Sequence, residues 1–224
     1  MGILKNITEE YFGETVREED MIDLTGLDVE IVSFTDNNKK FHKTGYKPKN
    51  KDNLKKLLKR MIEVRGDNGD FNDIDTSDIT YMSELFNYNK TFNGDITGWN
   101  VSGVKSMYCM FHYAKSFNRP IGDWNVSNVE DMGGMFHNAI SFNQPIGNWK
   151  FLKARSIGNM FYNAESFNQP IGDWNVSGVT DMTEMFKNAT SFNQDLSKWN
   201  LTKKYTENMF DNCPIKDEYK PKMK

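Results

Sequence analysis

The sequence predicts an α/β repeat protein, a solenoid of about six short strand-helix coils preceded by an α+β N-terminal cap. Three residue series carry this prediction, because they recur in step about every 25 residues. Phe-Asn pairs begin at 71, 92, 117, 142, 167 and 192. Tryptophans stand at 99, 124, 149, 174 and 199, and a third series has its Phe at 86, 111, 136, 161, 186 and 210. Three columns with one period indicate a single structural unit repeated along the chain.

The first half of each unit is predicted to be a short strand. Ile121, Trp124 and Val126 match the pattern L-x-x-L-x-L, so the predicted solenoid is leucine-rich-repeat-like. Trp124 and Val126 alternate with polar residues as in a half-buried strand, which would turn Asp123 and Asn125 toward solvent.

The second half of each unit is predicted to be a short helix. Ser127 would cap it, and Glu130 three residues later would complete a capping box. The apolar residues that follow Val129 are spaced by three and four, namely Met132, Met135, Phe136 and Ala139.

A return turn is predicted to join each helix to the next strand. Asn138, Asn163 and Asn188 stand where the helices would end. The Asn of each following Phe-Asn pair is expected to hydrogen-bond backbone groups of the neighbouring coil, since an inward-facing turn would otherwise leave them unpaired.

The repeat motif is Trp-Asn-Val-Ser-Asn-Val-x-Asp-Met-x-x-Met-Phe-x-x-Ala-x-Ser-Phe-Asn-Gln-Pro-Ile-Gly, and over about residues 45–212 it resembles the BspA-like leucine-rich repeat surface proteins. That family was first catalogued in mycoplasmas as a domain of unknown function, and its better-known members are secreted or lipid-anchored adhesins. The resemblance implies a repeat fold and a bacterial binding protein; the small size and the lack of an export signal would also suit a phage protein. As the sequence is written we expect a cytoplasmic protein, and a secreted or cell-surface one if an upstream signal was removed.

The two ends of the chain are expected to cap the stack. Residues 1–70 are predicted to form an N-terminal cap, with a hairpin of Val29–Phe34 and Lys40–Tyr46 followed by an amphipathic helix capped by Asp52. Residues 71–212 form the repeats, and residues 213–224 are predicted to be a basic, mobile tail.

Charge is divided sharply within the cap. Residues 1–36 contain ten acidic and two basic side chains, whereas residues 37–65 contain eleven basic and two acidic ones. The two blocks either neutralise each other within the cap or leave a basic surface for nucleic acid. The second alternative would use Lys39, Lys40, Lys43, Lys47, Lys55, Lys56, Lys59 and Arg60.

No constellation of catalytic residues stands out in the sequence. His112 and His137 occupy one repeat column, in which Tyr162 and Lys187 also occur, so the column is interpreted as variable surface. We predict no enzyme activity, no metal and no cofactor.

One coil departs from the repeat and is the candidate partner-binding site. It replaces polar repeat residues by Lys150, Leu152, Lys153 and Arg155. Its neighbours on the predicted strand face are Asp123, Asn125, Asp173 and Asn175. The departure is either a contact point for a partner or neutral drift of a solvated strand.

The preferred prediction is a monomeric protein-binding module that contacts a protein partner through the solenoid face. Two versions stay open: a surface adhesin, and an intracellular inhibitor of a host defence nuclease encoded by a phage or mobile element. Nucleic-acid binding through the basic block is the alternative of another class.

Overall fold

A computed structural model describes residues 22–35, 42–201 and 206–223. In this part of the chain one α-helix and four strands are present: β1 (Val29–Thr35), β2 (His42–Pro48), α1 (Lys51–Arg65), β3 (Asn200–Leu201) and β4 (Lys222–Met223). Strands β1 and β2 form an antiparallel hairpin in which Val29 pairs with Pro48, and β3 and β4 form a short parallel pair.

The predicted solenoid of strand-helix coils is wrong. Between Arg65 and Asn200, all of which is described, the chain contains no α-helix and no extended strand. Its repeats consist of turns, and successive repeats are joined by single parallel bridges that link Tyr81, Ser106, Asp131, Ser156 and Asp181 in order. The period of 25 residues is therefore real, but it builds a stack of turns.

The predicted strand fails because an asparagine side chain closes a turn there. Asn125 Oδ1 accepts hydrogen bonds from the Ser127 N–H at 3.2 Å and from the Ser127 hydroxyl at 2.7 Å. Such local side-chain bonds compete with extended structure. Trp124 and Val126 still point inward and are buried, while Asp123 and Asn125 are exposed on a turn.

The predicted helix fails because every second backbone N–H leaves the coil. The N–H groups of Met132, Gly134 and Phe136 donate to carbonyl oxygens 24 residues further on, at 2.8–2.9 Å. The N–H groups of Met135 and His137 donate three residues back, each at 3.1 Å, and that of Gly133 donates to Asp131 Oδ1 two residues back at 2.8 Å. Positive φ at Gly134 (62°) and Asn138 (58°) interrupts any helical run. The capping box of Ser127 and Glu130 therefore has no helix to cap.

These segments form what we call the bridge ribbon: residues 81–88, 106–113, 131–138, 156–163, 181–188 and 206–212. Each segment except the last donates hydrogen bonds to the next segment along the chain. Most N–H groups of the inner segments donate to the next coil, three residues back or to a side-chain oxygen two residues back, so these inner segments are hydrogen-bonded to a neighbouring segment on each side.

Beneath the ribbon, phenylalanine rings stack along the whole core. Phe136 lies 3.8 Å from Phe142 within its coil, measured between ring centroids. It lies 5.6 Å from Phe111 and 5.7 Å from Phe161 in the coils on either side. All four rings are fully buried, so the core is one continuous column.

The asparagine of each Phe-Asn pair joins neighbouring coils, which confirms the prediction for this column. Asn118 Oδ1 accepts from the Asn143 N–H, and Asn143 Oδ1 accepts from the Asn168 N–H, each at 3.0 Å. The same bond recurs from Asn93 to Asn193 along the stack.

The hairpin and α1 cover part of the first coil. Strand β2 pairs in parallel with the chain at Ile74, through hydrogen bonds of Tyr46. Arg65 at the end of α1 binds the buried Asp73 with two hydrogen bonds of 2.7 and 2.8 Å. Burial alone would lower the Arg65 pKa, but the bonds to Asp73 and its charge outweigh burial and raise it. The N-cap of α1 is Asn50 rather than the predicted Asp52.

The end of the chain packs against the last coil, whereas the sequence predicted a mobile tail. The Leu196 N–H donates to the Tyr219 carbonyl at 2.8 Å, and the Lys216 N–H donates to Asn193 Oδ1 at 3.0 Å. Together with the pairing of β4 to β3, these bonds cap one half of the last coil.

Candidate functional site

The outer side of the bridge ribbon carries an unusual number of tyrosines. Tyr81, Tyr88 and Tyr108 are 52%, 59% and 46% exposed. We call this surface the tyrosine face and define it by Tyr81, Tyr88, Tyr108, Tyr113 and Tyr162 together with His112 and His137.

Several of these rings contact one another from coil to coil. Tyr88 stacks on Tyr113 with ring centroids 4.8 Å apart. Tyr113 lies 6.1 Å from His137, and His137 lies 4.5 Å from Tyr162. The row ends at Lys187, whose Nζ stands 5.7 Å from the centre of the Tyr162 ring. The rings thus form one aromatic row across four coils.

Two glycines make room for the side chains of the preceding coil. A Cβ on Gly133 would lie 3.4 Å from a ring carbon of Tyr108, and one on Gly134 would lie 2.9 Å from Cys109 Sγ. Tyr108 therefore lies over Gly133. Burial raises the pKa of the Cys109 thiol, so the thiol stays protonated at neutral pH.

The two histidines of the face are neutral at pH 7. Their rings lie 4.7 Å apart, and His112 Nδ1 is 2.8 Å from Asn87 Oδ1. Burial lowers the pKa of both; for His137 the charge of His112 lowers it further, to about 4, although Glu184 acts in the opposite direction. The aromatic row is therefore uncharged up to Lys187.

We expect the free energy of unfolding to fall as the pH is lowered from about 6.5 toward about 4. Over this range the unfolded His137 takes up a proton while the folded one does not, so acid favours unfolding. A shift of one pKa unit corresponds to about 1.4 kcal/mol of stability for a fully buried group. Because the His137 ring is partly exposed, solvent screening reduces the effect, and the expected total loss is on the order of 1–2 kcal/mol. Urea titrations near pH 7 and pH 4.5 measure it.

The matched variant for this prediction is His137→Tyr, since tyrosine occupies the same column at Tyr162. It should lose most of the difference between the two pH values. An unchanged difference in the variant would contradict the assignment to His137.

The structure places the predicted Lys150 patch on exposed turns. Lys150, Lys153 and Arg155 are exposed, and Leu152 is 75% exposed. Phe151 between them is buried, with its ring 4.5 Å from Trp174. The patch is thus a set of surface side chains around a buried anchor.

The acidic and amide neighbours of that patch are partly engaged elsewhere. Asp173 forms an exposed ion pair with Lys198 at 2.6 Å. The hydrogen bond and charge of Lys198 lower the Asp173 pKa, with a smaller contribution from Lys150. Asn175 Oδ1 accepts from the Ser177 N–H at 3.1 Å, as Asn125 does from Ser127. Asp123 is exposed on the preceding coil.

The basic block is divided between internal contacts and solvent. Lys47 pairs with Asp75 and Asp78 at 3.5 and 3.1 Å, and Arg60 donates to the Asp23 and Thr25 carbonyls. Lys55, Lys56 and Lys59 are exposed on α1, and Lys43 falls within β2. Lys39 and Lys40 lie outside the described residues.

Neither a metal site nor a membrane span is found within residues 22–35, 42–201 and 206–223. In that part of the chain no group of three His, Cys, Asp or Glu side chains could hold a metal ion. The same residues include no helix long and apolar enough to cross a bilayer.

Comparison with models of known protein families gives one match. The family model described as "Mycoplasma protein of unknown function, DUF285" matches residues 52–165 and 152–219, which together span 168 of the 224 residues. The chain belongs to this family. Searches of curated proteins and of solved structures found no match.

The DUF285 match includes α1 from its second residue onward and the whole tyrosine face. Sequence reasoning identified the column of His112 and His137 but interpreted it as variable surface, and it missed the exposed tyrosines. The signal was present, because Tyr88 and Tyr113 stand 25 residues apart. In this DUF285 chain the adjoining columns become one surface only when the turns bring them side by side.

Proposed function

We propose that the chain is a non-enzymatic protein-protein interaction module that binds its partner through the tyrosine face. The observation that carries the proposal is the exposure of Tyr81, Tyr88 and Tyr108 on a ribbon whose segments are hydrogen-bonded to one another from coil to coil. Exposed tyrosines at a rigid site are typical of binding surfaces.

Tyrosine suits such a surface for physical reasons. Its ring offers a large apolar contact area, its hydroxyl makes hydrogen bonds, and only two side-chain torsions must be fixed on binding. Stacking of Tyr88 on Tyr113 holds both rings before any partner arrives. Less side-chain entropy is therefore lost on association.

The chemistry of the face favours a protein over a nucleic acid. Phosphate binding depends on Lys and Arg, and none of the seven residues that define the tyrosine face is either. In the basic block, Lys47 and Arg60 are already bonded within the cap. A polar and aromatic protein surface is the better complement.

Two versions of the proposal differ in where the partner lies. The resemblance of the repeat to the BspA-like surface proteins supports a secreted adhesin with a partner outside the cell. The other version is an intracellular inhibitor of a host defence nuclease, carried by a phage or mobile element. Capturing partners separately from a surface-protein fraction and from a cytosolic fraction of the source cells distinguishes them.

The test compares three forms of the full chain as bait. These are the unchanged chain, a triple variant Tyr81→Ser, Tyr88→Ser and Tyr108→Ser, and a variant Lys150→Glu with Arg155→Glu on the other candidate surface. We expect one protein to be retained in stoichiometric amount by the first and third baits and lost from the second.

Titration of the identified partner then gives the size of the effect. The triple variant should bind at least about tenfold more weakly, as expected when central aromatic contacts are removed. Equal affinity for the unchanged chain and the triple variant would refute the tyrosine face. Loss of binding in the Lys150 and Arg155 variant alone would assign the site to that patch instead.

A further inference from the structure

The ribbon segments that carry the tyrosine face contain more negative than positive charge. From segment 81–88 to segment 181–188 there are four acidic side chains and one basic side chain, namely Glu84, Asp131, Asp181, Glu184 and Lys187. Lys187 already pairs with Glu184, with 2.5 Å between Nζ and Oε1. The other three carboxylates form no ion pair within the part of the chain that the structure describes.

Two of these carboxylates lie around the exposed ring of Tyr108. Asp131 Oδ1 and a ring carbon of Tyr108 lie 3.2 and 3.4 Å from one point, the position that a Cβ on Gly133 would occupy. The N–H of Glu84 donates to the Tyr108 carbonyl at 2.8 Å, which joins the two coils at this point. Contact with Cys109 is the largest cause that raises the Tyr108 pKa, and the charges of Asp131 and Glu84 add to it. The ring therefore lies in a negative field.

The Tyr108 ring is also open to a partner. Tyr88 and Tyr162 each have another aromatic ring against them, whereas among the described residues no aromatic ring contacts Tyr108. Lys105 precedes it in the same coil and is exposed, but it forms no ion pair with Asp131 within residues 22–35, 42–201 and 206–223. Because the face of an aromatic ring is negative, an exposed ring beside carboxylates attracts a cation.

The chain itself builds such an arrangement at the other end of the face. Lys187 Nζ pairs with Glu184 and stands 5.7 Å from the centre of the Tyr162 ring. Glu84 occupies the same ribbon position as Glu184, but in its coil Asn87 stands at the position of Lys187. The carboxylate and an exposed tyrosine are thus present in the first coils without the cation that accompanies them in the fifth.

We propose that the tyrosine face selects a basic partner, whose arginine or lysine side chain lies against the Tyr108 ring and pairs with Glu84 and Asp131. This inference rests on the proposed function and names the chemistry of the partner. A guanidinium or ammonium group can contact the ring and bond to a carboxylate at the same time. Since the site is partly exposed, we expect the charges to select the partner and its orientation, while the tyrosines supply most of the contact area.

The test uses the immobilised full chain and a displayed library of random short peptides as the probe. We expect the enriched peptides to carry arginine or lysine beside an apolar residue. A variant Glu84→Gln with Asp131→Asn should bind a selected peptide at least about tenfold more weakly in fluorescence anisotropy. Both substitutions keep the size of the side chain, and an amide oxygen at position 131 can still accept from the Gly133 N–H.

The matched control is Asp123→Asn with Glu165→Gln, which removes the same charge from exposed residues outside the ribbon and should leave binding unchanged. Raising the salt concentration from about 0.05 M to about 0.5 M should weaken binding to the unchanged chain, because ions screen exposed charges. The variant Glu84→Gln with Asp131→Asn should show a much smaller salt dependence. Circular dichroism of each variant verifies that it is folded.

Failure of this inference is distinguishable from failure of the proposed function. Peptides that lose binding to the triple variant of Tyr81, Tyr88 and Tyr108 but bind equally well without the charges of Glu84 and Asp131 would overturn only the basic partner. Enrichment of peptides without arginine or lysine would do the same. A library that yields no peptide dependent on the tyrosines would overturn both proposals.

Discussion

Replacing Phe136 by alanine is expected to lower the free energy of unfolding by about 3–5 kcal/mol. The ring is fully buried, stacks at 3.8 Å on Phe142, and lies in the middle of the column between Phe111 and Phe161. Its removal leaves a cavity that two neighbouring coils share, and neither can collapse because the ladders on both sides fix their separation. Urea denaturation followed by tryptophan fluorescence measures the loss.

The control is Phe210→Ala at the end of the same column. Phe210 is half-buried and contacts a phenylalanine on one side only. Removing this ring should lower the free energy of unfolding by roughly 1–2 kcal/mol. Less apolar surface is buried at Phe210 than at Phe136, and solvent can fill the space that the ring leaves. Equal losses at the two positions would contradict a continuous column and indicate that each coil is stabilised separately.

The sequence predicted which residues point inward far better than it predicted the backbone path. Trp124, Val126 and Phe136 are buried as expected. A spacing of three and four residues indicates one face of a helix, but successive turns that alternate between inner and outer positions produce the same spacing. Burial patterns therefore could not distinguish the two.

Residue types signal only some of the turns of the ribbon, such as those at Asn138 and Asn163. The positions with positive φ include Glu84, Tyr88 and Cys109, with φ of 59°, 60° and 51°. Such residues seldom adopt this conformation, at a cost of about 1–2 kcal/mol each. The hydrogen bonds between coils offset that cost, and they depend on a neighbour 25 residues away that no local pattern contains.

The candidate site shows the same limit. Sequence reasoning favoured the charged departure at Lys150 and Arg155, because a break in a repeat is visible in one dimension. Tyr81, Tyr88 and Tyr108 occupy three different columns and lie in two coils. That all three are exposed on the same ribbon is a property of the turns, so the tyrosine face emerges only from the folded chain.

Replacing Gly172 by alanine is expected to destabilise the protein by about 1–3 kcal/mol. A Cβ at this position would lie 2.2 Å from the carbonyl oxygen of Asp195 in the next coil, and that atom is backbone. Relief requires the two coils to separate, which would stretch the adjoining bond from the Asn193 N–H to Asn168 Oδ1, now 3.0 Å. Thermal or urea unfolding of the full chain measures the effect.

The matched control is Gly178→Ala in the same coil. Its Cβ would meet the Ala154 carbonyl oxygen at 3.8 Å, an ordinary contact, and its φ lies outside the left-handed region. This substitution should be neutral or stabilise by about 0.4–1 kcal/mol, because alanine restricts the unfolded chain. If Gly172→Ala is tolerated equally well, the spacing between coils is adjustable there. At each of the repeated glycines 122, 147 and 172, a Cβ would lie 2.2–2.6 Å from a carbonyl oxygen of the next coil. Tolerance of alanine would show that this close approach is not the reason why glycine recurs there.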